Sequence, residues 1–219
     1  MNKKHILWVA VAGVLVAAGL ITAQLFGASQ RGAAGVPGEP GSAYWEGLPV
    51  AGMTIGAQDA PVLVEEYFDF QCPYCQQMSD EIVKPFIEQV VSKGEARFAY
   101  RLYPFLGPES LIAARGAYCA ATQGKFWPFQ AILFAQRGVG NQGTYSEARL
   151  RTYAEAAGLD LAAYDACMAS QDAAIFAAGS VQRGVQMGLP GTPVFFVNGQ
   201  PVAVRTLSDL LRAVEEAKP

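Results

Sequence analysis

Two cysteines three positions apart, Cys72-Pro73-Tyr74-Cys75, stand where a strand-like run hands over to a helical one, and nothing else in the chain constrains its fold as much. Before them, Pro61 to Phe68 (PVLVEEYF) is a mostly apolar run suited to a central strand. After them Met78, Ile82, Phe86 and Val90 recur at helical spacing, and Pro85 inside that run predicts a kink. The cysteines therefore belong at a strand-to-helix junction of an α/β protein.

The rest of the chain extends this pattern. Arg97 to Tyr103 is a second strand-like stretch with Phe98, Tyr100 and Leu102 on one face. Helical patterns follow around 109–123, 126–136, 146–157, 161–169 and 172–187, most of them separated by glycine-containing turns. Strand chemistry returns at Pro193-Val194-Phe195-Phe196-Val197, turns at Asn198-Gly199 and continues from Pro201 to Val204, before an amphipathic helix from Leu207 to Ala217. The order of strand, helix, strand, helical block, hairpin and helix predicts a thioredoxin-like α/β fold with an all-helical insert at about 109–188. The catalytic domain then spans 44–219, and no repeat of fixed period interrupts it.

The first 43 residues read differently. Lys3, Lys4 and His5 precede an uncharged apolar stretch from Ile6 to Ile21 that continues to Ala28, which predicts a membrane-directed helix with export of everything after it. At about 20 residues it is long enough to span a bilayer as an uncleaved anchor. A cleaved signal peptide is the alternative, with Gly27-Ala28-Ser29 as the small-x-small site. Ser29 to Ala43, rich in Gly and Pro, reads as a flexible tether or spacer. An extracytoplasmic domain tethered to the membrane follows from these readings.

Composition excludes several chemistries. A net charge of -3, with no basic patch after Lys4, gives no electrostatic case for nucleic acid. The single histidine, His5, lies in the N-terminal flank, so no Ser-His, Cys-His or His-metal site belongs to the folded domain. A zinc site built on the CxxC would need Cys119 and Cys167, which form no second CxxC.

The motif carries its own chemistry. A thiol attacks as thiolate, and Cys72 at a helix N-terminus gains from unpaired backbone N–H groups and the positive end of the dipole. Cys75, one turn later, closes the ring or resolves a mixed disulfide, and is expected to be the more buried. Pro73 suits the first helical turn, where its missing N–H leaves no bond unmade. The Pro73-Tyr74 dipeptide adjusts thiolate stability and hence redox poise.

The pieces FDFQCPYC, GKFWPFQ and GLPGTPVFFVNG resemble the DsbA-like family of exported thiol-disulfide oxidoreductases, over roughly residues 56 to 217. The resemblance implies that the Thr192-Pro193 loop faces the CxxC, with a cis peptide bond that would expose the Thr192 backbone to an extended substrate. It places Glu66, six residues before Cys72, at the family's buried acidic position, where a carboxylate could relay the Cys75 proton, whereas Glu65 points to the opposite face and is read as solvated. Phe126, Trp127 and Phe129 match the family's aromatic segment, and core packing is their simpler role. Because Pro73-Tyr74 lacks the histidine associated with the most oxidising members, an oxidant of intermediate strength is expected. Some members carry a second disulfide, and Cys119 with Cys167 is the expected structural pair. Two buried free thiols, or a shuttle pair serving Cys72 and Cys75, are the competing readings.

The function expected is a monomeric protein disulfide oxidoreductase, an oxidase that passes the Cys72-Cys75 disulfide to reduced or unfolded exported clients without a cofactor. The resemblance implies a quinone-linked membrane partner for reoxidation. A reductase or isomerase on the same fold is the alternative, and a non-catalytic thioredoxin-fold binding or chaperone module is the alternative of another class.

Overall fold

Which runs are apolar on both faces decides where the strands lie. A computed structural model of the chain describes residues 44–136, 138 and 140–219, so the predicted anchor or signal helix (1–28) and the tether (29–43) lie outside the described residues. Among the described residues no helix is long and apolar enough to cross a membrane. Six strands form one sheet: β1 (Val50–Ala51), β2 (Thr54–Ile55), β3 (Val62–Phe68), β4 (Ala96–Leu102), β5 (Val194–Val197) and β6 (Gln200–Val202), in the order β1-β2-β4-β3-β5-β6. The Pro61–Phe68 run becomes β3, a central strand. It pairs parallel with β4, from Val62 opposite Ala96 to Phe68 opposite Leu102, and antiparallel with β5, from Val64 opposite Val197 to Tyr67 opposite Val194. The predicted Asn198-Gly199 turn joins β5 to β6 with φ of 47° and 79° at its two residues, the left-handed pair that a tight hairpin requires.

The β1–β2 hairpin is an addition to the predicted order. Two-residue strands carry too little alternation to be read from a pattern, and β2 is held by pairing with β4, Ile55 opposite Phe98.

The first helix begins as α1 (Pro73–Met78), passes through a π-helical segment (Ser79–Val83) and resumes as α2 (Lys84–Gln89). The disturbance predicted at Pro85 takes the form of this π-helical segment. Pro85 has no N–H to donate, and the π turn just before it absorbs the misfit. The insert follows β4 as α3 (Pro108–Thr122), α4 (Phe126–Ala135), α5 (Glu147–Ala156), α6 (Leu161–Met168) and α7 (Gln171–Gln186), close to the predicted bounds. The chain ends in α8 (Leu207–Glu216), started by a capping box between Thr206 and Asp209.

Alternation along β3 divides the core in two. Val62, Val64 and Phe68 join the main cluster with Cys75, Ile82, Phe86, Phe98, Tyr100, Trp127, Leu210 and Val214. Tyr67 points to the other face, where it meets Tyr103 and Phe196 beneath Val181 of α7. There α7 comes so close that a Cβ on Gly184 would lie 2.3 Å from the Tyr103 ring. Phe126, Trp127 and Phe129 are all buried, and removing the Trp127 side chain is expected to cost about 3–5 kcal/mol. In the insert, a disulfide joins Cys119 of α3 to Cys167 of α6, with Cα atoms 5.7 Å apart.

Glu65 corrects one expectation. It does face away from Glu66, but it is not solvated: its side chain is 16% exposed and accepts a hydrogen bond from Arg101 Nε at 2.7 Å. Parallel pairing puts Glu65 opposite Ala99, which leaves Arg101 two residues along the same face of β4 and within reach.

Candidate active site

Register delivers the first group of the site. Glu66 lies opposite Tyr100 of β4 and Phe195 of β5, on the core face of the sheet, and is wholly buried. Neither of its carboxyl oxygens has a hydrogen-bond partner among the described residues. Burial, reinforced by the nearby Cys72, holds this carboxyl well above the usual carboxylate range.

After β3 the chain turns sharply. The Asp69 carbonyl accepts the Cys72 N–H at 3.0 Å, which ends the strand and sets Cys72 as the N-cap of α1, with extended φ of −78° and ψ of 115°. Pro73 opens the helix, as predicted for a residue without an N–H. The Cys75 N–H donates to Cys72 Sγ at 3.4 Å, and the Thr192 carbonyl oxygen lies 3.3 Å from that sulfur. Thr192-Pro193 is a cis peptide, and the loop that holds it stands against the cysteine. The four sequence-predicted groups Glu66, Cys72, Cys75 and Thr192-Pro193 are thus brought together, while Tyr74 projects outward, 67% exposed. Cys119 and Cys167 belong to the insert and take no part in this cluster.

The two thiols differ sharply. A hydrogen bond from the Cys75 thiol, then the Thr192 side chain and the backbone N–H groups of Cys75 and Tyr74, lower Cys72 to about 6 against the opposing effect of burial. Cys75 is pushed well above the ordinary thiol value, by burial first and then by its bond to Cys72 and the charges of Glu66 and Cys72. Cys72 is therefore a thiolate at neutral pH and Cys75 a thiol. Both are free, so the structure describes the dithiol form. A cleft of ≈ 170 Å³ opens beside Cys72, walled by Phe70, Gln71, Pro73, Gln76, Thr144 and Tyr145. A larger cavity of ≈ 500 Å³, on the other face of the sheet against Tyr67, Arg101 and Arg183, contains none of the reactive groups. Among the described residues no cluster of three or more His, Cys, Asp or Glu side chains could hold a metal ion.

Sequence reasoning missed a polar network behind the cysteine loop. Asp69 is wholly buried and accepts the Gln71 N–H at 2.8 Å, the Ser110 hydroxyl at 2.6 Å and the Leu106 N–H at 3.0 Å. Gln71 donates to Ser110 Oγ at 2.8 Å and accepts the Asn141 N–H at 2.6 Å, and the Tyr145 hydroxyl donates to the Phe70 carbonyl at 3.1 Å. The available signal was the polar pair that interrupts the apolar run before the motif, Asp69 and Gln71 in FDFQC. Ser110, Asn141 and Tyr145 come from the insert and Leu106 from the loop before it, all far along the chain, so spacing could not name them.

Comparison with known proteins follows the same lines. A sequence-family model described as Thioredoxin matches residues 49–216. A thioredoxin-like oxidoreductase from Silicibacter pomeroyi DSS-3 is 30% identical, with a TM-score of 0.63 over 78% of this chain and 91% of that one. BdbD from Bacillus subtilis, in its oxidised form, has a TM-score of 0.70 over 78% of this chain and 96% of that one, a likeness of fold at 21% identity. A Na(+)/H(+) antiporter NhaA 1 of Salinispora arenicola is 34% identical over 148 residues, which are 66% of this chain and 21% of the antiporter. The chain thus spans about a fifth of the length of the curated relatives it matches.

Proposed function

The chain belongs to the thioredoxin family as a DsbA-like thiol-disulfide oxidoreductase, and from that premise we propose that it is an oxidase, donating a Cys72-Cys75 disulfide to reduced client proteins. The observation that carries the direction is the placement of Cys72 as the N-cap of α1, where its sulfur receives the Cys75 N–H at 3.4 Å, an environment that lowers the thiol to about 6. A stabilised thiolate stabilises the reduced enzyme, and a stable reduced form makes the disulfide an oxidant.

A client thiolate attacks Cys72 Sγ of the oxidised enzyme, forming a mixed disulfide and expelling the Cys75 sulfur with the electron pair of the broken bond. Cys75, whose thiol form is strongly favoured by burial, takes up a proton. We assign that proton to Glu66, a wholly buried carboxyl held well above the usual carboxylate range, which regains a proton from solvent. A second client thiolate then attacks the client sulfur of the mixed disulfide. Cys72 leaves as thiolate, a good leaving group because its value is low. The client has lost two electrons and the enzyme holds them as a dithiol. The Thr192 carbonyl, 3.3 Å from Cys72 Sγ, is the backbone group against which an extended client segment lies. Cys119-Cys167 serves as a structural bond.

Site of action and partners complete the reading. The charged flank and apolar run of residues 3–28 support export and membrane attachment, with the domain working outside the cytoplasm as a monomer. Reoxidation then falls to a quinone-linked membrane protein.

The test is the equilibrium potential of the Cys72-Cys75 pair in glutathione buffers, paired with oxidation of a reduced, unfolded protein by wild type and Cys72→Ser. A potential well above about −270 mV supports the oxidase. One near that value reverses the direction in favour of a reductase. Full activity in Cys72→Ser overturns both redox readings, the oxidase and the reductase.

A further inference from the structure

We infer that Asp69 is a positioning residue whose two carboxylate oxygens divide between the cysteine loop and an apolar lip at Phe105-Leu106, holding that lip where a client's apolar side chain lies beside Cys72. This rests on the client-oxidation reading above. Oδ1 accepts the Gln71 N–H at 2.8 Å and the Ser110 hydroxyl at 2.6 Å, on the side of the cysteine loop. Oδ2 accepts the Leu106 N–H at 3.0 Å, on the side of the lip. Three donors converge on one side chain, which suits a carboxylate, the only side-chain group that accepts on both oxygens and donates on neither.

The lip is built to stay in place. The Leu106 carbonyl accepts from Asn141 Nδ2 at 2.8 Å and from Gln71 Nε2 at 3.4 Å, so both backbone polar groups of Leu106 are committed. Gly107, at φ of 121°, lets Asn141 approach within 2.5 Å of where a Cβ would stand. Phe105 stacks on Tyr103 with ring centroids 4.7 Å apart, and its ring tip lies 3.9 Å from a Cβ placed on Gly191, next to Thr192. The lip thus touches both Gln71, the residue before Cys72, and Gly191, the residue before Thr192, whose carbonyl lies 3.3 Å from Cys72 Sγ. Yet Phe105 and Leu106 are 39% and 37% exposed, large apolar side chains whose backbone is rigidly held and whose outer faces are uncovered. A polypeptide joined to Cys72 by a mixed disulfide passes beside these faces, and an apolar residue next to its cysteine covers them.

Asp69→Asn separates the two halves of the role. The amide oxygen goes where two donors converge, at Gln71 and Ser110, and the amide N–H₂ then faces the Leu106 N–H, which releases the lip alone. The assay uses two reduced peptides, one with leucine and one with serine beside the cysteine. In Asp69→Asn, KM for the leucine peptide is expected to rise about tenfold, the scale of one apolar side chain's contribution. The serine peptide's KM rises less than the leucine peptide's, and the pH midpoint of Cys72 thiolate formation does not move, because the partners of Oδ1 are kept. Equal KM changes for the two peptides, or no change, overturn the assignment, as does a fall in kcat with a shifted Cys72 midpoint. Leu106→Ala, a surface change that leaves the network intact, must reproduce the leucine-peptide loss, and its failure to do so also overturns the assignment, whether or not Asp69→Asn folds. Failure of the wild type to oxidise either peptide counts against the client-oxidation reading instead.

Discussion

The two cysteine pairs are the same residue type in one domain, yet their surroundings give them opposite chemistry. Cys72 caps a helix, where unpaired backbone N–H groups face its sulfur, and Cys75 donates to it from one turn later. Cys119 lies near the C-terminal end of α3 and Cys167 near that of α6, where the carbonyl ends of helices disfavour a thiolate. Burial does not separate the pairs, for Cys72, Cys75 and Cys119 are all buried. Position along a helix does. A sulfur at a helix start is set up to be attacked and released, and one at a helix end to stay bonded.

The sharpest way to break this comparison is to delete each pair in turn. Cys72→Ser is expected to reduce oxidation of an unfolded client to the uncatalysed background, whereas Cys119→Ala/Cys167→Ala keeps kcat/KM within about twofold, since neither sulfur lies among the reacting atoms. Equal losses in a stopped-flow assay would mean that the second pair shuttles electrons after all. The same double variant should lose about 4 kcal/mol in denaturant unfolding, the chain-entropy value for a loop closed over a sequence separation of 48.

A pH titration sharpens the comparison next. Cys72 is lowered from 9.0 to about 6, so reduced wild type gains stability relative to the unfolded chain in full above pH 9. That gain falls by about 1.4 kcal/mol per pH unit below 9 and is lost as pH falls through about 6. Thiolate absorbance near the ultraviolet edge should show one midpoint at about 6, with Cys75 silent through neutral pH because burial raises it. A first midpoint near the ordinary thiol value would remove the special status of the helix start.

The smallest effect concerns the carboxyl behind the reactive pair. Glu66→Leu replaces a wholly buried group with no hydrogen-bond partner among the described residues, so unfolding experiments should find the variant more stable by about 1–2 kcal/mol. Its mixed-disulfide step should slow by about tenfold or more at neutral pH if the carboxyl supplies the Cys75 proton. An unchanged rate would make Glu66 a structural residue only.

Much of the architecture was legible because its signals are local. The apolar run Pro61–Phe68 became the central strand, Asn198-Gly199 made its hairpin, and the insert helices fell within a residue or two of their periodicity. What escaped was non-local. The β1–β2 hairpin exists because β4 offers Ile55 a partner in Phe98, and Glu65 is shielded because Arg101 arrives beside it from the neighbouring strand. Asp69 belongs to the site through Leu106 and Ser110, residues that no spacing rule connects to it.

By itself the sequence determined the reactive element, since a strand, a sharp turn and a helix opened by Cys72-Pro73 follow from apolar periodicity and from proline's missing N–H. The tertiary structure alone decided what that element meets: the Thr192 carbonyl at 3.3 Å, the wholly buried Glu66 beneath, and the Asp69 network behind. These groups are brought together by strand pairing and by the packing of the insert. Long-range contacts of that kind depend on how the whole core closes, which local preferences along the chain do not encode.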